Sequence, residues 1–219
     1  MSNNFSNEDE QLEKISLWWN SYKLIILASV VFIISSILGW DYLKEKSSKQ
    51  SIAAAQDYEK YLSIYMQNDS NMDVNLEERA LRIKADYSGY GYADMSALHL
   101  AKQYFLTGKI LEAENELRWV IKRSSGFVMN KPSPLLIIAR IRLSRLLLSQ
   151  ERYQDVIDLI DQNQELNSEL HELKGDALKE LNRYEEAKFS YLEALNSNQS
   201  KLLKNLILMK IANIEGARE

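Results

Sequence analysis

The feature of this chain that most limits its fold is an uncharged run of seventeen residues, LIILASVVFIISSILGW, from Leu24 to Trp40. As an α-helix this run spans roughly 25 Å, slightly less than the ~30 Å hydrocarbon core of a bilayer. Aromatic residues lie on both sides of it, as they do at the two membrane interfaces, and lysines at its ends can reach outward to water. These flanking residues are Trp18, Trp19, Tyr22, Trp40 and Tyr42, with Lys23 and Lys44. The sequence therefore predicts a transmembrane helix at residues 23–43.

Two other kinds of segment can contain such a run, a buried helix of a soluble protein and a cleaved signal peptide. Buried helices are seldom bracketed by tryptophan and lysine on both sides. A signal peptide begins with basic residues and ends at a small-residue cleavage site. Here acidic residues precede the run, which leads directly into Asp41-Tyr42-Leu43. We therefore expect the helix to be retained as an anchor.

The composition of the chain favours an all-α protein with one domain after the anchor. Among its 219 residues, 46% are apolar, and there are only seven glycines and two prolines. The net charge of −4 includes no basic stretch that would bind nucleic acid. Because the chain has no cysteine, disulfides, thiolate catalysis and cysteine-ligated metals are excluded.

Three segments follow the tetratricopeptide pattern, in which two helices cross closely at small residues. They cover residues 97–120, 140–163 and 171–194. Equivalent positions are Ala113, Val156 and Ala187, at intervals of 43 and 31 residues, against a usual period of about 34. The longer interval contains the loop Ser124–Pro134. Such copies stack into a solenoid because each buries its apolar face against a neighbour; an irregular helical bundle is the alternative.

We accordingly predict an all-α chain in which one N-terminal transmembrane helix precedes a tetratricopeptide-like solenoid. Residues 1–22 form an acidic tail, without regular structure over residues 1–13. The transmembrane helix at residues 23–43 is followed by a helical stalk or connector at residues 44–91 and by the repeat domain at residues 92–219. The connector contains a polar break at Gln67–Asp73 and a helix at Leu76–Asp86.

The repeats predict a groove that binds a peptide or protein segment. In tetratricopeptide domains the first helix of each pair lines the concave side of the solenoid, so template position indicates the residues that face it. These are Lys102, Phe105, Arg145, Leu148, Asp176 and Lys179. For any one of them, the alternative is an ordinary exposed helix residue.

The last predicted helix, Lys201–Ile214, has almost no polar face, although a terminal helix of a solenoid should have one. Either it packs into the concave groove, or it offers an apolar surface to a partner or a second copy. In the second case Leu206 and Met209 are candidate partner-binding residues.

No set of residues predicts catalysis, a metal, a cofactor or a small-molecule substrate. His99 and His171 are far apart in sequence and have no metal-ligand partner four residues on, so both are expected to be surface histidines. Gly89 and Gly91 lie in a tyrosine-rich turn without the Lys-Ser/Thr pair of a phosphate loop.

The order of these parts resembles the ancillary SecYEG translocon subunits, YfgM-like proteins of the bacterial inner membrane. That family has an acidic tail, a membrane helix ending in Gly-Trp, here Gly39-Trp40, and a periplasmic tetratricopeptide-like domain. Further similar segments are Ala97–Phe105, Leu173–Leu178 and Leu208–Ile214. The resemblance extends from about Glu10 to Ile214, and it is carried by the combination of parts rather than by one motif.

The resemblance implies a non-enzymatic accessory subunit beside the SecYEG channel. Its repeat domain would lie in the periplasm and bind a membrane-anchored parvulin-type chaperone, emerging polypeptides, or both. The lysines weakly favour the opposite topology, because two precede the membrane helix (Lys14 and Lys23) and three follow it (Lys44, Lys46 and Lys49). A membrane-tethered cytoplasmic scaffold that recruits or restrains a regulatory protein is therefore the alternative. An enzyme with an unrecognised site is a third hypothesis.

Overall fold

The computed structural model describes residues 5–67, 74–124, 134–162, 167–196 and 201–216, in which the regular structure is α-helical. The helices are α1 (Phe5–Gln67), α2 (Val74–Asp86), α3 (Gly91–Leu106), α4 (Ile110–Ser124), α5 (Pro134–Ser149), α6 (Tyr153–Asp161), α7 (Ser168–Glu180), α8 (Tyr184–Leu195) and α9 (Lys201–Gly216). This confirms the predicted fold class. Most of the predicted break at Gln67–Asp73 and of the loop Ser124–Pro134 lies outside the described residues.

The first compact unit, Met1–Ala53, contains the apolar helix. In the described part of the chain, one helix is long and apolar enough to cross a membrane, and its most apolar window has no buried residue. Helix α1 already begins at Phe5, so the prediction of no regular structure over residues 1–13 is wrong for residues 5–13. Extending an existing helix avoids the cost of nucleation, so the long helix continues toward the N-terminus.

The second compact unit, Ala54–Glu219, is a stack of helix pairs. Helices α3 and α4, α5 and α6, and α7 and α8 form the pairs; α4 also packs on α5, α6 on α7, and α8 on α9. The first helices contact one another along the stack, from α3 to α5 and from α5 to α7. This regular pairing is that of a solenoid, so the alternative of an irregular bundle is wrong.

The turn inside each pair has the same backbone geometry in all three repeats. The second residue after each first helix has a positive φ, at Gly108 (75°), Glu151 (60°) and Asn182 (58°). The next residue donates its backbone N–H to a carbonyl five residues earlier, with N–O distances of 2.8–3.0 Å at Lys109, Arg152 and Arg183. These bonds satisfy carbonyls that the end of a helix would otherwise leave unpaired.

The small residues of the repeat pattern lie in the buried core of the repeat domain. Ala113, Val156 and Ala187 are buried in the continuous core. At Gly175 on α7, an added Cβ would lie 2.5 Å from Cε1 of Tyr191 on α8. In this pair the small residue on the first helix leaves the space that the ring on the second helix fills.

The last residues of α1 belong to the second unit and cover α3 through tyrosine rings. Tyr61 is buried, and its ring lies 5.9 Å from the His99 ring, centroid to centroid. Tyr58 contacts Tyr92 of α3 in the same way, at 5.5 Å. The compact unit thus begins at Ala54, within the segment that the sequence assigned to a connector.

Candidate partner-binding groove

Three of the six predicted groove residues line one open cavity. Lys102 and Phe105 lie on α3 and Arg145 lies on α5, and the cavity that they border has a volume of about 380 Å³. We call this cavity the α3–α5 groove; the other residues that line it are Ala101, Ala113, Leu117, Arg142, Leu146 and Ser149. The two neighbouring repeats thus form a single concave surface.

The floor of the groove is apolar and its rim is polar. Ala101, Ala113, Leu117 and Leu146 are buried and come from three helices, α3, α4 and α5. Around them the side chains are exposed, including Phe105, which is 49% exposed. A floor of this kind can bury an apolar side chain of a ligand, while the rim determines its orientation.

Three cations surround this floor, Lys102, Arg142 and Arg145. Lys102 Nζ lies 3.4 Å from the Tyr65 hydroxyl, and Arg142 Nη1 donates to the Leu98 carbonyl at 3.1 Å. Arg145 binds the carboxylate of Glu169 on α7. No acidic residue of the described ranges lines the groove itself, so its rim has a net positive charge.

The other three predicted residues lie away from this groove. Leu148 is half-buried and packs against the core. Asp176 accepts hydrogen bonds from the Tyr191 hydroxyl at 2.7 Å and from Lys210 Nζ at 2.8 Å. Lys179 pairs with its neighbour Glu180.

Helix α9 ends the stack instead of entering the α3–α5 groove. It packs on α8 through Ile207, Ile211 and Ile214, which are buried. Lys210 binds Glu172 and Asp176 of α7. Burial lowers the pKa of Lys210, but these hydrogen bonds more than offset it, so the pKa is raised overall.

The opposite side of α9 is apolar and exposed, as the second interpretation of this helix expects. Leu206 is 43% exposed and Met209 is 69% exposed, and both lie on one helical face with Leu202. The structure places these two candidate residues at the surface, and their role in partner binding stays a prediction.

The template missed Arg142 and Ser149, which complete the groove on α5. They lie three residues before and four residues after Arg145, so all three share one helical face. Extending the face from Arg145 by helical spacing would have found both residues. The tetratricopeptide template marks fewer positions than the face contains.

Neither histidine is the surface residue that the sequence predicted. His99 is half-buried, its ring stacks on Tyr65 at a centroid distance of 4.9 Å, and its Nδ1 is buried without a hydrogen-bond partner. Burial lowers the pKa of His99, and the charges of Arg142 and Lys102 lower it further. Burial also lowers the pKa of the half-buried His171. The part of the chain that the structure describes contains no cluster of residues able to hold a metal ion.

Comparisons with known proteins agree with this architecture. A family model described as a tetratricopeptide repeat-like domain matches residues 17–216, which include the apolar helix and all three repeats. Two curated relatives are both named ancillary SecYEG translocon subunit. The protein from Aggregatibacter actinomycetemcomitans is 26% identical over 94% of this chain and 97% of its own length. The protein from Buchnera aphidicola is 24% identical over 89% of this chain and 96% of its own length. The resemblance predicted from the sequence is thus confirmed, and the chain belongs to the tetratricopeptide repeat-like domain family.

Proposed function

We propose that this protein is a non-enzymatic accessory subunit of the SecYEG translocon in the bacterial inner membrane. The observation that carries the proposal is its similarity, over nearly the whole length of both chains, to two proteins with that name. A match that covers the apolar helix as well as the repeats supports a shared architecture rather than a shared repeat alone.

In this proposal the apolar helix anchors the chain, and the repeat domain lies in the periplasm. There it binds a membrane-anchored parvulin-type chaperone, polypeptides that leave the channel, or both. Anchoring raises the concentration of the groove near the exit to about the millimolar range that short tethers give. The groove has an apolar floor and a charged rim, the arrangement that protein–protein interfaces use.

The association is tested by purifying the full-length protein with a C-terminal tag in mild detergent. We expect the channel subunits to co-purify with the protein, and to remain bound at moderate salt concentration. A tagged variant that carries an unrelated membrane helix in place of residues 23–43 controls for trapping in micelles. Purification of the wild-type protein without channel subunits would contradict the proposal.

Topology separates this function from the second candidate, a cytoplasmic scaffold for a regulatory protein, which the lysine distribution favours. Alkaline phosphatase, active only outside the cytoplasm, is fused after Glu219, and a parallel fusion carries a fluorescent protein that matures only inside. We expect phosphatase activity without fluorescence. Fluorescence without phosphatase activity would place the repeats in the cytoplasm and favour the scaffold.

A further inference from the structure

The charge and shape of the α3–α5 groove indicate the chemical class of its ligand. We infer that the groove binds an extended peptide segment in which an apolar side chain lies next to one or more carboxylates. This inference rests on the proposed role of the repeat domain in binding a protein partner. It adds the type of segment that the partner must present.

The apolar floor of the groove indicates that the ligand carries an apolar side chain. Buried alanine and leucine side chains form this floor, and the exposed ring of Phe105 extends it at the rim. The volume of about 380 Å³ lies at the lower end of the range of ligand pockets, about 300–1,000 Å³. The groove thus has space for one or two side chains, not for a folded element.

The cations on the rim of the groove indicate that the ligand carries carboxylates. Lys102, Arg142 and Arg145 have exposed side chains on two adjacent helices. Arg142 and Lys102 act together on one neighbouring group, since both lower the pKa of His99 beyond the effect of its burial. Complementary charge steers a ligand to its site and excludes ligands of like charge, so a basic peptide is disfavoured.

One carboxylate of the chain already occupies a position at the edge of this rim. Glu169 on α7 binds Arg145, although Glu169 does not line the groove. The side chain of Arg145 is 63% exposed, so a ligand carboxylate can reach its other donors or replace Glu169. Glu169 therefore competes with the ligand for Arg145.

The ligand class is tested with three fluorescent peptides and the full-length protein in detergent micelles, by fluorescence anisotropy. The first peptide places one phenylalanine among aspartates, the second replaces the aspartates with asparagine, and the third replaces the phenylalanine with serine. We expect the first peptide to bind and the other two to bind at least about tenfold more weakly. Raising the salt concentration should weaken binding of the first peptide. Equal binding of the first two peptides would overturn the inference.

Variants of the protein locate the site. Exchange of Lys102, Arg142 and Arg145 together for glutamine should weaken binding of the acidic peptide by roughly 30-fold, at about threefold for each exposed ion pair. Phe105→Ala should weaken it as well. Lys179→Gln is the matched control, because it removes a cation of α7 that does not line the groove. Circular dichroism verifies that each variant is folded.

Glu169→Gln provides a change in the opposite direction, which general damage to the fold cannot imitate. Removing the competing carboxylate should strengthen binding of the acidic peptide by about threefold, the effect expected of one exposed ion pair. It should leave the asparagine peptide unaffected. Unchanged affinity in both the triple variant and Glu169→Gln would place the peptide elsewhere and overturn the inference.

These outcomes are distinguishable from failure of the proposed function. If the channel co-purifies with the wild-type protein but the acidic peptide does not bind, the inference fails and the translocon assignment stands. If the peptide binds at the groove but the channel does not co-purify, the ligand class stands and the translocon assignment fails.

Discussion

At the scale of single residues, the three repeat turns differ in how well their residue suits a positive φ. Gly108 has no Cβ to clash in the left-handed region, and asparagine, at Asn182, tolerates it. Glu151 has a Cβ and no special tolerance for a positive φ. The hydrogen bond from the Arg152 N–H to the Leu147 carbonyl nevertheless requires this backbone conformation at Glu151. The backbone of the second repeat therefore holds Glu151 in an unfavourable conformation.

We expect Glu151→Gly to raise the free energy of unfolding by about 0.5–1 kcal/mol. Relief of the left-handed penalty, about 1–2 kcal/mol, exceeds the extra entropy that glycine gives the unfolded chain. Gly108→Ala should destabilise by about 1 kcal/mol for the converse reason. Thermal unfolding of the full-length protein measures both effects. Gly89→Ala is the control, since Gly89 has no positive φ and an added Cβ would contact nothing within 4 Å; an equal loss in the two alanine variants would contradict the explanation.

The environment of His99 depends on distant parts of the chain. Its neighbours are tyrosines of α1 and cations of α3 and α5, and none of these contacts gives its buried Nδ1 a hydrogen bond. Because its folded-state pKa is lowered, the folded protein favours the neutral ring. The stability that this supplies is complete above the unfolded pKa of about 6.5 and is lost as the pH falls below it.

Replacing His99 by phenylalanine should remove this pH dependence and preserve the stack on Tyr65. We expect the variant to be at least as stable as the wild type at pH 7, because a buried unsatisfied polar atom is removed. The difference in stability between the variant and the wild type should grow as the pH falls from 6.5 to 5. Melting temperatures across this range test the prediction, and His171 is retained in both proteins, so its titration cancels. Parallel curves for the two proteins would show that His99 has the same pKa in the folded and unfolded states, which would contradict the prediction.

At the scale of helices, two positions can be compared across the repeats, one seven residues before and one nine residues after the turn residue with positive φ. Ala101 accompanies Leu117 in the first repeat, and Ser144 accompanies Ile160 in the second. In the third repeat Gly175 accompanies the larger Tyr191, whose ring occupies the space that a Cβ would need. A larger residue on the second helix thus goes with a smaller residue on the first.

A double-mutant cycle tests this relation. Gly175→Ala should destabilise by about 1–3 kcal/mol, the usual cost of overpacking, because the Tyr191 ring must move. In the background of Tyr191→Leu, which imitates the first repeat, the same alanine should cost less than about 0.5 kcal/mol or should stabilise the helix. Denaturation of the four proteins gives the coupling energy. Additive effects would show that the two positions are independent.

At the scale of the whole molecule, each helix of the stack is stabilised mainly by its contacts with neighbouring helices. The packing of α9 involves α8 and the ion pairs of Lys210 with α7. In such an array a local change is felt mainly by adjacent units. A substitution that destabilises α9 should therefore destabilise the third repeat more than the helices that form the groove.

Ile207→Ala should cost about 2–4 kcal/mol locally, because Ile207 is fully buried on α9. Hydrogen exchange should increase in α7, α8 and α9 and change little in α3 and α4. Leu208→Ala, at a neighbouring residue that is 51% exposed, is the control and should change exchange little. Faster exchange throughout α3 and α4 would indicate that the repeats unfold together.

The sequence alone determined the long apolar helix, the helical class and the positions of the three repeats. Each of these depends on local patterns: an uncharged run long enough for a bilayer, apolar residues at helical spacing, and small residues at a fixed distance from a turn. The turn residues Gly108, Glu151 and Asn182 lie where the template places them. Each of these patterns involves residues that are close together in the sequence, so it can be recognised without knowing the tertiary structure.

Only the tertiary structure decided which predicted residues share one site and how the stack ends. Lys102 and Arg145 meet with Arg142 around one floor, while Asp176 is bound by Lys210 of α9. His99 is half-buried because tyrosines about forty residues earlier in the chain cover it. These results depend on distances between helices that are far apart in sequence, and no local pattern contains them. The sequence therefore predicted the repeats and part of the groove lining, and the packing decided which of the predicted residues share the groove.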